Sequence, residues 1–470
     1  MQRAVSPEYV RGLLERIRQL ERRVAHLESQ LTDRDRQIAR LEGQLEEARR
    51  AAKRQAAPFS KGEPKKDPKR PGRKPGRGYG RQAVRPIPGK VDETYRSPCP
   101  EVCPCGGRVA PRGESRVYEV DIPKVQSQVR EFVNGYGECL DCGKQVCARH
   151  PLQTSSPQGA VGRVHIGPVA IGLAAHLKVL GGMSYQKIQR VMEQVLGFEV
   201  GRSTLCRALT RLGRKAEPTY QDLVEQIRAS PVVYPDETGW KLGGHKAWLW
   251  AFTNLKLTVY SVLRGRGYAE AASILGERYA GILAPDGWAP YQSFRHATLQ
   301  TCNGHLLRRC REILETASRG AVRFPRAVKK ILQQGLALRD RRRAQKIGQH
   351  GLKVAQGRLE ARLDRLLARQ PTNAVNRRFA KHLRRHRHEI FVFLRRPEVE
   401  ATNWPAEQAI RPAVVNRKTC AGNRSQRGAR TLSVLMSVLR TAQQQGCLVL
   451  ELVAAILRDP IPRPHLSPER

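Results

Sequence analysis

The chain has 470 residues, too many for one ordinary hydrophobic core, so several domains are expected. Its formal net charge of +43 at pH 7 makes the chain repel itself unless a polyanion neutralises the charge. Nucleic acid is therefore the natural partner. A membrane-surface protein would need an amphipathic anchor, a lipidation signal or a stretch of about 20 apolar residues, and the sequence contains none of them. We therefore expect a cytoplasmic, nucleoid-associated protein with no membrane partner.

Residues 10–48 carry a heptad pattern with charged residues between two apolar seams. One seam is Val10, Ile17, Val24, Leu31, Ile38 and Leu45, and the other is Leu13, Leu20, Leu27, Arg34 and Leu41. Such seams are buried against a partner helix, which predicts a coiled coil and a homodimer or higher assembly. The alternative is an amphipathic helix that folds back on its own protein.

Residues 51–94 are rich in Pro, Gly, Lys and Arg, a composition that cannot build a core and predicts a basic linker. The segment 71–77 within it resembles an AT-hook, in which Arg73 and Arg77 would enter a narrow minor groove. A merely solvated basic linker is an equally good interpretation.

Six of the eleven cysteines fall between Cys99 and Cys147, which indicates a metal site rather than disulfides. Cys139 and Cys142 form one Cys-x-x-Cys arm, and Cys105 with Cys103 or Cys99 forms an irregular first arm. Two cysteine pairs suit one structural, tetrahedral Zn²⁺. Cys147 is an outside candidate for the fourth ligand. The stretches 116–121 and 128–133 between the arms alternate like strands.

Residues 161–230 have helical periodicity. A helix over 184–196, a break at Gly197 and a second helix over 203–212, capped by Ser203 or Thr204, predict a helix-turn-helix that binds DNA. The second helix carries Arg207 and Arg211 as candidate DNA contacts. An ordinary helical hairpin is the competing interpretation.

From Pro231 the pattern changes to strands at 232–236, 247–253 and 257–263, a helix at 268–275 and a further strand at 282–286. Asp236 and Asp286 end two of these strands, and Glu407 follows Pro405, a residue that suits the first turn of a helix. Three convergent carboxylates are what two Mg²⁺ or Mn²⁺ ions require for an in-line phosphoryl displacement. Each carboxylate taken alone is more often a turn residue or a cap.

Four ordered motifs decide between these interpretations. They are Pro235–Trp240, Pro285–Tyr291, Cys302–Arg309, and the stretch from Asn403 to Pro412 that continues to Arg417 and Lys418. Together with the heptads, the cysteines and a helical basic segment, they resemble the bacterial transposases of the insertion sequence sixty-six family.

That resemblance implies an RNase H-like catalytic core interrupted by a helical insertion, with Asp236, Asp286 and Glu407 as the catalytic, metal-binding DDE triad. It also suggests that accessory proteins are partners. We further expect phosphate contacts from Arg308, Arg411, Arg417 and Lys418, with the Cys302-x-x-His305 motif as architecture that places Arg308 near DNA. Two departures stand out: Trp404 replaces a second Asn after Asn403, and the first cysteine arm is not Cys-x-x-Cys.

The sequence thus predicts a multidomain α+β fold. Its segments are a coiled coil at 1–50, a linker at 51–94, a zinc-binding module at 95–150, a helical DNA-binding region at 151–230, the first part of an RNase H-like core at 231–310, a basic helical insertion at 311–400, and the end of the core with C-terminal helices at 401–470.

The predicted function is metal-dependent cleavage and strand transfer on double-stranded DNA at transposon ends and at the target. The alternative is a catalytically inactive, DNA-binding regulator derived from a transposase. A third possibility, an RNA-binding zinc protein, lacks the aromatic stacking motifs of such modules.

Overall fold

The computed structural model describes residues 7–53, 86–123, 125, 127–155 and 165–458. The chain divides into two compact units, Met1–Tyr118 and Glu119–Arg470. The candidate AT-hook residues Arg73 and Arg77 lie outside the described residues.

The described part of the first unit contains one long helix, α1 (Pro7–Lys53). This confirms the helix predicted from the heptads. Side chains from both seams are exposed on it, among them Ile17, Leu20, Val24, Leu27, Leu31, Ile38 and Leu41.

The second unit is mixed α and β, as predicted. Its elements begin with strands β1 (Tyr136–Glu138) and β2 (Gln145–Cys147), followed by helices α2 (Pro168–Ala175), α3 (Tyr185–Leu196), α4 (Arg202–Lys215) and α5 (Glu217–Arg228). Strands β3 (Val232–Leu242), β4 (His245–Thr253) and β5 (Thr258–Leu263), helix α6 (Tyr268–Leu275), and strands β6 (Ile282–Leu283) and β7 (Thr298–Leu299) come next. The remaining helices are α7 (Asn303–Thr316), α8 (Arg323–Arg343), α9 (Gln349–Ala368), α10 (Ala374–Arg385), α11 (Val392–Arg395), α12 (Trp404–Cys420), α13 (Gln426–Gln444) and α14 (Val449–Arg458).

Two predicted strands are wrong. Residues 116–121 and 128–133 form no strand, and Val117, Val120, Val129 and Val133 point into solvent. Alternation stabilises a strand only where one face packs on a second layer, and these residues have none. The strands of this region are instead β1 and β2, an antiparallel pair that flanks Cys139 and Cys142.

Five strands form a mixed sheet in the order β5-β4-β3-β6-β7. Strand β4 runs antiparallel to both of its neighbours, β3 and β5, whereas β6 runs parallel to both β3 and β7. Successive residues of the central strand β3 serve opposite faces, as the pleat requires. Val233 packs into a core shared with α2–α5, α13 and α14. Val232 and Tyr234 pack into a second core with α7–α11.

Helix α13 covers the outer edge of the sheet. The backbone N–H groups of alternate β5 residues donate to hydroxyls on that helix: Thr258 to Thr441 Oγ1 at 3.1 Å, Tyr260 to Ser437 Oγ at 2.8 Å and Val262 to Ser433 Oγ at 3.1 Å. Four helical residues rise about 6 Å and two strand residues about 6.6 Å, so the two repeats match. Hydroxyls spaced four apart thus replace a missing neighbour strand.

Candidate active site

Asp236 lies in the central strand β3, opposite Ala251 of β4. Its Oδ1 atom accepts a hydrogen bond of 2.8 Å from the backbone N–H of Glu237. Buried neighbours on both sides hold this stretch of strand rigidly. The carboxylate therefore has a fixed origin in the middle of the sheet.

Asp286 follows β6, the parallel neighbour of β3. Its Oδ1 atom accepts 3.0 Å from the backbone N–H of Trp288, which closes a tight turn. Gly287 inside that turn has φ 100°, a left-handed value that glycine adopts without strain. The predicted strand at 282–286 ends earlier, at Leu283, so Asp286 lies in the loop just beyond it.

Glu407 is exposed in the first turn of α12. The buried Asn403 sets its position, because its Nδ2 donates 2.9 Å to the carbonyl oxygen of Pro235. Pro235 immediately precedes Asp236, and Asn403 precedes Glu407 by about one helical turn. This bond therefore holds the start of α12 against the strand that carries Asp236, so that the charge of Glu407 reaches that aspartate.

Two further contacts fix α12 along β3. The Arg417 guanidinium donates 2.8 Å to both Thr238 Oγ1 and the Gly239 carbonyl oxygen. Beyond the helix, the Asn423 backbone N–H donates 2.9 Å to Lys241 O, and its side-chain oxygen accepts 2.8 Å from the Trp240 indole. Arg417, predicted to contact DNA, is thus engaged in packing the helix on the strand.

The three carboxylates share one electrostatic environment. Burial raises the pKa of Asp236 to about 7, and the negative charges of Glu237, Asp286 and Glu407 add to the rise. Within the residues that the structure describes, no three His, Cys, Asp or Glu side chains converge closely enough to hold a metal ion. The carboxylates are therefore neighbours without forming a closed set of ligands.

A buried polar network that the sequence did not predict adjoins this site. The side chain of Glu237 is 1% exposed and pairs with Arg266 at 2.7 Å, while Tyr291 donates 3.0 Å to its Oε2 atom. The Arg266 guanidinium lies 3.8 Å from the Trp288 ring centroid and 4.7 Å from that of Trp248. The adjacent Asp-Glu pair was the one available signal, since two successive carboxylates on one strand cannot both face the same side.

The Cys302-x-x-His305 motif lies at the start of α7. Burial opposes ionisation of the Cys302 thiol, but hydrogen bonding with His305 and with the Asn403 backbone lowers its pKa. The same hydrogen bond raises the pKa of His305, to which the charge of Asp286 also contributes. Cys302 therefore links the start of α7 to the start of α12, and the exposed Arg308 lies on the same helix as His305.

The cysteines form two similar turns. The Cys103 N–H donates a hydrogen bond of 2.8 Å to the Gly107 carbonyl oxygen, and the Gly106 N–H donates one of 2.8 Å to the Cys103 carbonyl oxygen. Gly106 has φ 85°. In the second turn, the Cys139 N–H donates a hydrogen bond of 2.9 Å to the Lys144 carbonyl oxygen, and the Gly143 N–H donates one of 2.9 Å to the Cys139 carbonyl oxygen. Gly143 has φ 65°. Each turn brings two cysteine side chains together, which suits a metal site.

Hydrogen bonding stabilises a thiolate in both turns. The Gly107 backbone and the Cys103 thiol lower the pKa of Cys105. The backbones of Cys142 and Asp141 and the Cys142 thiol lower the pKa of Cys139. Thiolates are the form in which cysteine binds metal. Cys99 is exposed, and Cys147 ends β2.

The remaining candidate DNA contacts differ in exposure. Arg207 is exposed on α4, whereas Arg211 is half-buried and its Nε atom is enclosed without a hydrogen-bond partner. Arg411 and Lys418 are exposed on α12. None of the described helices is long and apolar enough to cross a membrane.

Comparison with known proteins points to one family. The sequence profile described as "Transposase IS66 family" matches residues 163–431, a span that holds all three carboxylates. The chain is also 23% identical over 278 residues to a protein of Sinorhizobium fredii named "Uncharacterized protein y4qI". That match covers 53% of this chain and 51% of the relative, so the chain spans about half the length of the curated relative it matches. Because the family profile covers more than half of the chain, the protein belongs to the transposase IS66 family.

Proposed function

We propose that this chain is a DDE transposase that cuts DNA at transposon ends and joins it to target DNA with divalent metal ions. The carrying observation is that β6, which precedes Asp286, pairs with β3, and that Asn403 at the start of α12 bonds to Pro235 beside Asp236, so that the charges of Asp286 and Glu407 reach Asp236. These residues lie far apart in sequence. Their charges act on one another because β3, the turn after β6 and α12 lie close together in the fold. A sheet in which one antiparallel strand interrupts a parallel set supports an RNase H-like core for this site.

The donor chemistry fits Mg²⁺ or Mn²⁺, two per site, because both ions prefer carboxylate oxygens. Burial, and after it the negative charges of Glu237, Asp286 and Glu407, raises the pKa of Asp236, and bound cations would relieve that repulsion. Bound metal ions would activate the attacking oxygen and neutralise charge on the phosphate. Asp236, held by the central strand, and Asp286, held by the Trp288 amide, would keep their oxygens in place. Glu407 would approach from the helix that Asn403 anchors.

The cationic surface would hold the DNA. Arg308, Arg411 and Lys418 lie on the two helices that border the carboxylates, and Arg207 is exposed on α4 in the proposed helix-turn-helix. Arg73 and Arg77 of the linker remain proposed minor-groove contacts. A turn that stabilises a thiolate lies in each unit, which supports Cys103 and Cys105, and Cys139 and Cys142, as the structural Zn²⁺ ligands expected from the sequence. The apolar seams of α1 support a homodimer that holds two DNA ends.

The test is a cleavage assay on labelled DNA carrying the sequence that flanks this gene, with a gel-shift on the same proteins. Asp236→Ala, Asp286→Ala and Glu407→Ala should each abolish cleavage while DNA binding holds, because losing a carboxylate makes the surface more positive. Asp222→Ala, an exposed acid on α5, should cut normally. Near wild-type cleavage by any of the three would remove that residue from the triad. A wild-type protein that binds these ends without cutting them would favour the inactive regulator.

A further inference from the structure

Trp404 differs from the other tryptophans of the chain. All five are described. Trp240 and Trp250 are buried, and Trp248 and Trp288 flank Arg266. Trp404 is 44% exposed. An indole face open to water is costly because it keeps a large apolar surface hydrated.

The position of Trp404 gives that exposure a meaning. It is the first residue of α12, and Glu407 follows three residues later, on the same side of the helix. Arg411 and Lys418 continue the exposed face, while Ala406, Ala409 and Ala413 are buried on the opposite face. An aromatic ring, a candidate metal ligand and two cations therefore follow one line along the helix.

The backbone beneath Trp404 is firmly held. The Asn403 N–H donates 3.1 Å to Cys302 Sγ, and its side chain donates to Pro235 O. Pro405, on the other side, is buried. The indole is thus presented from a rigid base beside Glu407, as a stacking platform requires.

We propose that Trp404 stacks on an unpaired base of the DNA strand whose phosphodiester lies at Glu407. This rests on the proposed function. Inside a duplex both faces of a base are covered by its neighbours, so a ring can stack only on a base that has left the helix or on a single strand. The cations at Arg411 and Lys418 suit a polyanionic strand that continues along α12. They argue against an acyl chain or an apolar peptide as the occupant.

Two single strands of equal length separate stacking from charge. One is a 12-nucleotide oligo-dT, and the other carries 12 abasic sugar-phosphates in place of its nucleotides. Binding is measured by fluorescence anisotropy on the full chain at fixed salt. The wild-type protein should prefer the strand with bases, because stacking on an aromatic ring strengthens binding by about 5- to 150-fold per base.

Trp404→Leu should lose that preference by the same factor and leave affinity for the abasic strand unchanged. Trp404→Phe, which keeps an aromatic face, should retain most of it. Lys418→Ala should weaken binding of both strands equally, because it removes a phosphate contact. Thermal unfolding of the variants should match wild type, since the substituted side chain is exposed.

The stacking role is overturned if the wild-type protein and Trp404→Leu prefer the strand with bases equally. It is also overturned if the wild-type protein binds the two strands equally well. A preference lost in both Leu and Phe variants would point to a specific indole contact with a protein or DNA group and would also overturn it. Wild-type cleavage is measured in parallel. If the wild-type protein cuts DNA but its preference for the strand with bases does not depend on Trp404, the stacking role alone is refuted. If the preference depends on Trp404 but the wild-type protein does not cut DNA, the proposed function is refuted.

Discussion

At the scale of single residues, Arg266 contacts both segments that carry the candidate aspartates. It pairs with Glu237, next to Asp236, and stacks on Trp288, whose N–H caps Asp286. The Trp288 indole returns a hydrogen bond of 3.3 Å to the Arg266 carbonyl oxygen. Arg266 is therefore a positioning residue for both carboxylates.

Arg266→Ala should lower the free energy of unfolding by about 3–5 kcal/mol, because it leaves the buried Glu237 carboxylate without its partner. Denaturant unfolding followed by circular dichroism measures the change. Arg264→Ala, two residues away and exposed, is the matched control and should change stability by less than about 0.5 kcal/mol. If Arg264→Ala lowers the free energy of unfolding as much as Arg266→Ala does, the loss does not come from the ion pair.

Asp236 predicts an unusual pH dependence. Its pKa is about 7 in the folded chain against 3.8 ordinarily, so the folded state holds the proton more tightly. This contribution to stability is fully present below pH 3.8 and is lost as the pH rises through about 7. In chelator, wild type should lose more stability between pH 5 and pH 8 than Asp236→Asn does. Parallel unfolding curves for the two proteins would contradict the raised pKa.

At the scale of elements, periodicity and caps predicted most of the second unit. The helix predicted from Ser184 is capped by that serine, which accepts 3.3 Å from the Lys187 N–H, and it ends at Gly197 with φ 58°. The cap predicted at Ser203 or Thr204 is wrong, because α4 already begins at Arg202 behind Gly201. Two-residue strands such as β7 leave no periodic signal, so the sequence could not predict them.

The candidate site was predictable only in part. Resemblance to a family identified the three carboxylates. Their mutual proximity depends on Asn403, Arg417 and Asn423, which connect α12 with β3 across a long interval of sequence. Local patterns carry no information about such pairings. For the same reason the sequence did not predict that the Arg417 guanidinium donates to Thr238 of β3, and its phosphate contact stays a prediction.

The two cysteine turns predict about one Zn²⁺ per chain, measured by elemental analysis. Structural zinc contributes folding energy, so chelation should make residues 95–150 sensitive to protease while residues 165–458 stay resistant. Cys142→Ser should lose the metal. Cys206→Ser, an exposed cysteine on α4, should keep it. A full complement of zinc in Cys142→Ser would exclude that residue as a ligand.

At the scale of the whole molecule, α1 should determine assembly. Each Leu or Ile buried at the seam contributes about 1.5–3 kcal/mol, so Leu27→Asp should shift the mass measured by light scattering from an oligomer toward a monomer. Glu28→Gln, one residue off the seam, should leave the mass unchanged. If removal of residues 1–53 has no effect on mass, the seams do not join two copies.

The hydroxyl row of α13 has a consequence for synthesis of the chain. Ser433, Ser437 and Thr441 leave the ribosome long after β5 has been made. Until they arrive, the N–H groups of that strand stand open and can template pairing with another nascent chain. Glu407 is also made late, so a prematurely stopped product combines an incomplete site with an uncovered strand. Such fragments should aggregate and be degraded rather than accumulate beside finished chains.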